Sequence, residues 1–141
     1  MNGWGVTRDY AQAHDWFQKA ANKGSNRAMY RLGLMYVNAW GVTQDYAQVR
    51  EWFQKAAEAD NSLAMNNLGV LYVNGWGLTR DYVQARKWFQ KAADAGDADA
   101  MYNLGVLYQN GQGVARDSAR ARYWIRKAAD AGNANAKNAL H

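Results

Sequence analysis

Few side chains in this sequence could perform acid–base or metal chemistry, and they do not converge. His14 and His141 are its two histidines, and cysteine is absent. Metal catalysis needs several ligands around one open position, and nucleophilic catalysis needs a nucleophile, a base and an orienting group in contact. His14 has only Asp15 beside it, and adjacent residues point to different sides of a helix, so the pair is expected to be solvated surface. Carboxylates such as Asp97 and Asp99 fit a helix cap and a first-turn charge that complements the helix dipole. The Asn-Gly-x-Gly runs follow helical patterns and no strand, which removes the phosphate-loop reading. No catalytic residue, metal ligand or cofactor is therefore expected, and the chain is not read as an enzyme. The side chains that remain with binding chemistry are aromatic. Trp4, Trp40 and Trp76 recur in glycine-flanked loops, and Gln112 interrupts the series. On stacked helices such points lie about 10 Å apart, a spacing that suits sugar stacking or anchoring of a partner segment. The alternative is that each indole folds back over its neighbouring helix.

That recurrence belongs to a larger one. The tetrapeptides beginning at Asn2, Asn38, Asn74 and Asn110 are evenly offset, since 38−2, 74−38 and 110−74 all equal 36. Self-similarity at this period means stacked supersecondary units, each burying its apolar face against its neighbours. The third unit shows the physics. Asp81 with Gln84 forms a capping-box start, repeated by Asp9 with Gln12 and by Asp45 with Gln48. Ala85, Trp88, Phe89 and Ala92 then share one face of an outer helix. Trp16, Trp52, Trp88 and Trp124 are placed in the core by the same spacing. The helix stops near Gly96, as its copies stop near Gly24 and Gly132, with Asp60 replacing that glycine once. Ser25, Asn61, Asp97 and Asn133 follow as caps of an inner helix. Its stripe in the third unit is Ala100, Met101, Leu104, Gly105 and Tyr108. Glycine in mid-helix costs about 1 kcal/mol relative to alanine, so Gly33, Gly69 and Gly105 imply close helix approach.

The bulk numbers agree with one folded array. The 141 residues are 49% hydrophobic and 13% aromatic, with 13 glycines and no proline, so disorder is not expected. A net charge of +5 permits weak attraction to acidic proteins, nucleic acid or anionic lipid without specifying one. No apolar stretch approaches the roughly 20 residues that span a bilayer, and Asn2, Gly3, Trp4 and Gly5 lack a signal-peptide core. The chain opens in mid-repeat, so upstream sequence stays conceivable and the compartment stays open between cytoplasm and periplasm. The array is divided as one domain, 1–141, in units 2–37, 38–73, 74–109 and 110–141, with incomplete terminal units. The polar tail with Lys137 and His141 reads as a cap. The face near Trp16 and Phe17 is uncapped, and is expected to meet an upstream repeat or a second molecule.

The run Ala-Met-Tyr-Asn-Leu-Gly-Val-Leu-Tyr-x-Asn-Gly-x-Gly-Val, then Asp, then Trp-x-x-Lys-Ala-Ala, resembles the Sel-one-like repeats, relatives of tetratricopeptide repeats. The resemblance covers residues 2–141. It implies an all-α fold, a right-handed α/α superhelical solenoid of helix-turn-helix repeats, acting as a noncatalytic adaptor for a protein or peptide partner. Some secreted members staple each repeat with paired cysteines, from which this chain departs. By the same resemblance, the concave face comprises Arg27, Tyr30, Leu34 and Val37, then Leu63, Asn66, Val70 and Val73, then Asp99, Tyr102, Val106 and Gln109. Asn38, Asn74 and Asn110 follow at the helix ends, either bonding a ligand backbone or ending the helix. This mixture of aromatic, aliphatic and amide groups, with few charges, suits an extended or helical peptide better than a polyanion. A glycan or cell-wall ligand stacked on Trp4, Trp40 and Trp76 is the alternative. The basic run Arg116, Arg120, Arg122, Arg126 and Lys127 lacks aromatic interleaving and is diluted by Asp117 and Asp130, so nucleic acid is not expected.

Overall fold

The computed structural model describes residues 3–140, with side chains described from Asp9 onward. Among the described residues there are eight helices and no strand: α1 Gly3–Asn22, α2 Asn26–Asn38, α3 Tyr46–Glu58, α4 Ser62–Asn74, α5 Tyr82–Asp94, α6 Ala98–Asn110, α7 Ser118–Asp130 and α8 Ala134–Ala139. Each packs on the next in chain order, and the most extensive pairings are inner helix against following outer helix: α2 on α3, α4 on α5, α6 on α7. This nearest-neighbour stacking is what defines a solenoid.

Local chemistry sets the helix limits. Ser25, Asn61, Asp97 and Asn133 each adopt extended backbone and accept a hydrogen bond from the amide three residues on, at 2.8 to 3.2 Å. Each such cap is worth about 1 kcal/mol. Asp45, Asp81 and Asp117 do the same for the outer helices α3, α5 and α7. Asp60 stands at φ +69° where the other units have glycine, and Ala39 ends α2 at φ +54° where Gly75 and Gly111 end α4 and α6.

The core repeats with the chain. Leu32, Leu68 and Leu104 are fully buried, and Phe53 and Phe89 nearly so. The inner-helix glycines make this packing possible. A methyl on Gly33 or Gly69 would collide with the ring of Phe53 or Phe89, and one on Gly105 would lie 2.8 Å from Ile125 Cγ1. The expected close approach is thus present in all three copies.

Two local expectations do not hold. Asp9 is no cap, because α1 already begins at Gly3 and runs through it. Elsewhere the cap is held extended by the preceding inner helix, as when Asp81 N donates to Tyr72 O and Asp117 N to Tyr108 O, both at 3.0 Å. Nor is Trp16 in the core. Its indole is 71% exposed, whereas Trp52 is 8% exposed against Ala28, Leu32 and Met35 of the preceding hairpin. Trp88 and Trp124 are half-buried. The cover over Trp52 comes from the α1–α2 hairpin before it. Lys55, Lys91 and Lys127 lie over Trp52, Trp88 and Trp124 at 4.7, 4.9 and 5.4 Å, cation–π contacts of about 0.5–1 kcal/mol each while the lysines stay solvated.

Candidate functional site

The inner helices α2, α4 and α6 present the changing face. Arg27, Asn38, Leu63, Asn74, Asp99, Asn110 and Gln109 are exposed, while Tyr30, Leu34, Val37, Val70, Val73, Tyr102 and Val106 are half-buried. Tyr30 stacks on Phe53 with centroids 5.8 Å apart. Asn66 is placed differently from the sequence expectation. It is 9% exposed, and its Oδ1 accepts from Asn103 Nδ2 at 2.9 Å, so it ties α4 to α6. Asp99 accepts from Asn133 Nδ2 at 2.7 Å. The helix-end asparagines spend their amide donors locally: Asn38 Nδ2 on Leu34 O and Asn74 Nδ2 on Val70 O, both 2.9 Å, and Asn110 Nδ2 on Gln112 Oε1 at 3.4 Å.

Two notches of about 190 Å³ indent this face. One is lined by Leu34, Val37, Tyr46, Phe53, Asn67, Val70, Leu71 and Trp76. The other is lined by Val70, Val73, Asn74, Phe89, Asn103, Val106, Leu107 and Gln112. Seven lining positions recur at the repeat offset, from Leu34 and Val70 to Trp76 and Gln112, so the notch is a product of the repeat. The buried Phe53 and Phe89 form its floor. The spacing that puts Phe89 on the buried stripe of its helix says nothing of this second role as the floor of a surface notch. Asn67 and Asn103 also line the notches, and their recurrence in mid-helix is the sequence signal that marks them.

The loop tryptophans fold back on the preceding outer helix. Trp40 stacks on Tyr10 at 6.1 Å with rings nearly parallel, and Trp76 lies over Tyr46 at 5.8 Å. The glycine after each indole is needed for this closure, since a side chain on Gly41 would strike Tyr10 and one on Gly77 would strike the Tyr46 backbone. The indoles stay 39% and 45% exposed. Trp4 is not in the expected loop: its backbone belongs to α1, and its side chain lies outside the described residues. Trp76 also walls the first notch, which joins the loop aromatics and the inner face into one surface at that point.

Charge on this face is uneven. α2 carries Arg27 and Arg31 and no acid, α4 carries no charge, and α6 carries only Asp99. Burial lifts the Asp97 carboxyl above its ordinary range, with the charge of Asp99 adding to the effect and the Ala100 amide opposing it. On the far side, Arg120 pairs with Asp117 at 3.6 Å, and Lys127 lies over Tyr123 at 5.3 Å. His14 departs from its expected solvation. Its ring meets Tyr36 edge-on at 6.1 Å, with the imidazole turned inward toward α2. Among the described residues no group of three or more histidine, cysteine or carboxylate side chains is placed to hold a metal ion. Among the described residues no helix is long and apolar enough to cross a membrane.

Helical hairpins nested in sequence order, with constant packing positions and a variable notched face, define an α/α repeat solenoid. The chain belongs to the Sel1 repeat family, whose sequence model matches residues 1–25, 26–61, 62–97 and 98–133. No curated protein matches the chain. Among solved structures it is similar to c5321, described as a protective antigen of uropathogenic Escherichia coli strains displaying an SLR fold, at 43% identity and TM-score 0.88 over 96% of this chain. It is also similar to a Sel1 repeat protein from Oxalobacter formigenes, at 34% identity and TM-score 0.85 over 95% of this chain. The chain spans 29% and 54% of those two proteins. Helicobacter pylori cysteine rich protein B, at 23% identity and TM-score 0.75, shares the fold over 97% of this chain and 98% of its own. Sel1 repeat proteins are generally interaction scaffolds without catalytic activity.

Proposed function

We propose that this chain, as one array, is a noncatalytic scaffold that takes a partner's peptide segment along the face of α2, α4 and α6. The observation that carries the reading is the apolar notch repeated at the same seven positions in consecutive units. A notch of about 190 Å³ is below the roughly 300–1,000 Å³ usual for small-molecule sites, and matches a single side chain. Rigid stacking holds such notches at fixed separation, so modest contacts add with little ordering of the scaffold.

The glycan reading draws less support. Tyr10 and Tyr46 each cover one face of the loop indoles, and the third loop has Gln112. Val70 lines both notches, which makes it the discriminating position. Val70→Asn is expected to abolish capture of a protein partner from the source cell, whereas Arg126→Ser on the outer helix α7 leaves it intact. The opposite pattern, or loss of glycan binding on replacing Trp40 and Trp76 with the array still folded, would overturn the reading.

A further inference from the structure

We propose that the notch walled by Trp76 is the anchor of an acidic peptide: one aliphatic or aromatic side chain fills it, and carboxylates nearby in the same peptide meet Arg31 and Arg27. This rests on the scaffold reading and names the class of partner. The two notches share their build and differ in what surrounds them. The first has Trp76 where the second has Gln112, and on α2, outside the lining but on the helix that supplies Leu34 and Val37 to it, stand Arg27 and Arg31 where α4 carries Leu63 and Asn67. Both guanidinium groups are exposed, and neither forms an ion pair with a carboxylate among the described residues. Neither α2 nor α4 supplies an acid, and Asp99 on α6 keeps its charge while accepting from Asn133, so Arg27 and Arg31 stand against a single carboxylate two inner helices away. The charge left for a ligand on this stretch is therefore positive. A guanidinium matches a carboxylate with two parallel hydrogen bonds.

Spacing fixes the motif. Arg31 and Arg27 precede Leu34 by three and seven residues on α2, about 4.5 and 10 Å along a helix axis at 1.5 Å per residue. An extended peptide advances about 3.3 Å per residue, so carboxylates about one and three positions from the anchor reach the two arginines. The fit is for a short extended segment with an apolar residue and acids on one side of it.

Fluorescence anisotropy tests this with fluorescein-labelled Gly/Ser nonapeptides carrying one leucine. Two probes place aspartates one and three positions after or before the leucine, and two counterparts carry lysine instead. One acidic probe is expected to bind at least about tenfold more tightly than its lysine counterpart, a difference of about 1.4 kcal/mol, and to weaken as salt is raised. Trp76→Gln and Arg31→Asn, which place on the first notch and on α2 beside it the residues found one repeat later, should each lower that affinity about fivefold or more, with unchanged far-UV circular dichroism. Trp40→Gln, outside the notch, should not. Equal binding of acidic and basic probes, insensitivity to both variants, or no binding of either acidic probe overturns the proposal. Charge-independent binding that Val70→Asn abolishes would do so while leaving the groove itself standing, and the partner-capture result judges that groove separately.

Discussion

Replacing Gly69 with alanine sets two effects of opposite sign against each other. In an isolated helix the change is favourable by about 1 kcal/mol, because glycine in mid-helix loses more backbone entropy. In α4 the new methyl would occupy space held by the ring of Phe89, which is 2% exposed. Overpacking of this kind costs about 1–3 kcal/mol, and a ring displacement belongs at the upper end. Phe89 can yield only toward the notch that it floors, shedding contacts with α4 as it moves. A net loss of about 1–2 kcal/mol is expected, read as a lower guanidinium midpoint at unchanged slope by far-UV circular dichroism. Phe89→Leu removes the ring edge that the methyl meets. The double variant should therefore be more stable than the sum of the single changes predicts, by about 1 kcal/mol or more, a coupling expected of residues in contact. A Gly69→Ala protein stabilised by about 1 kcal/mol, or a double variant that is merely additive, would refute the account of inner and outer helices meeting through glycine.

Ala39→Gly should raise stability by about 0.5–1 kcal/mol in the same unfolding assay, because Ala39 holds a left-handed conformation that glycine adopts without a Cβ clash. Asp97 predicts a pH dependence. Its folded pKa is raised mainly by burial, so the folded state binds the proton more tightly than the unfolded one. Its contribution favours folding at low pH and is lost as pH rises from the ordinary carboxylate value through the raised one. Asp97→Asn, which keeps a cap of the kind Asn61 and Asn133 provide, should flatten that decline in thermal melts taken across the acid range. The exposed Trp16 face is proposed to self-associate in this 141-residue chain, and Trp16→Ser should remove any concentration-dependent mass seen by light scattering. A strict monomer at high concentration would exclude it.

The sequence by itself determined the helices and their order, the start of α1 excepted. The 36-residue offset, the caps at Asn61 and Asp97 and the glycines at Gly33, Gly69 and Gly105 are local signals, each acting within a few residues or by repetition. They sufficed because a solenoid is built from nearest-neighbour contacts, so one unit read correctly gives the rest. Only the tertiary structure decided how exposed each copy of a residue is. Trp16 and Trp52 occupy the same place in their units, yet one is bare and the other covered, because the cover belongs to the preceding hairpin. Asn66 and Asn103 became a tie between inner helices for the same reason. The notch was likewise invisible along the chain. Its walls come from α2 and α4, its floor from α3 and its rim from the loop that follows, and a depression among four segments exists only once they have packed.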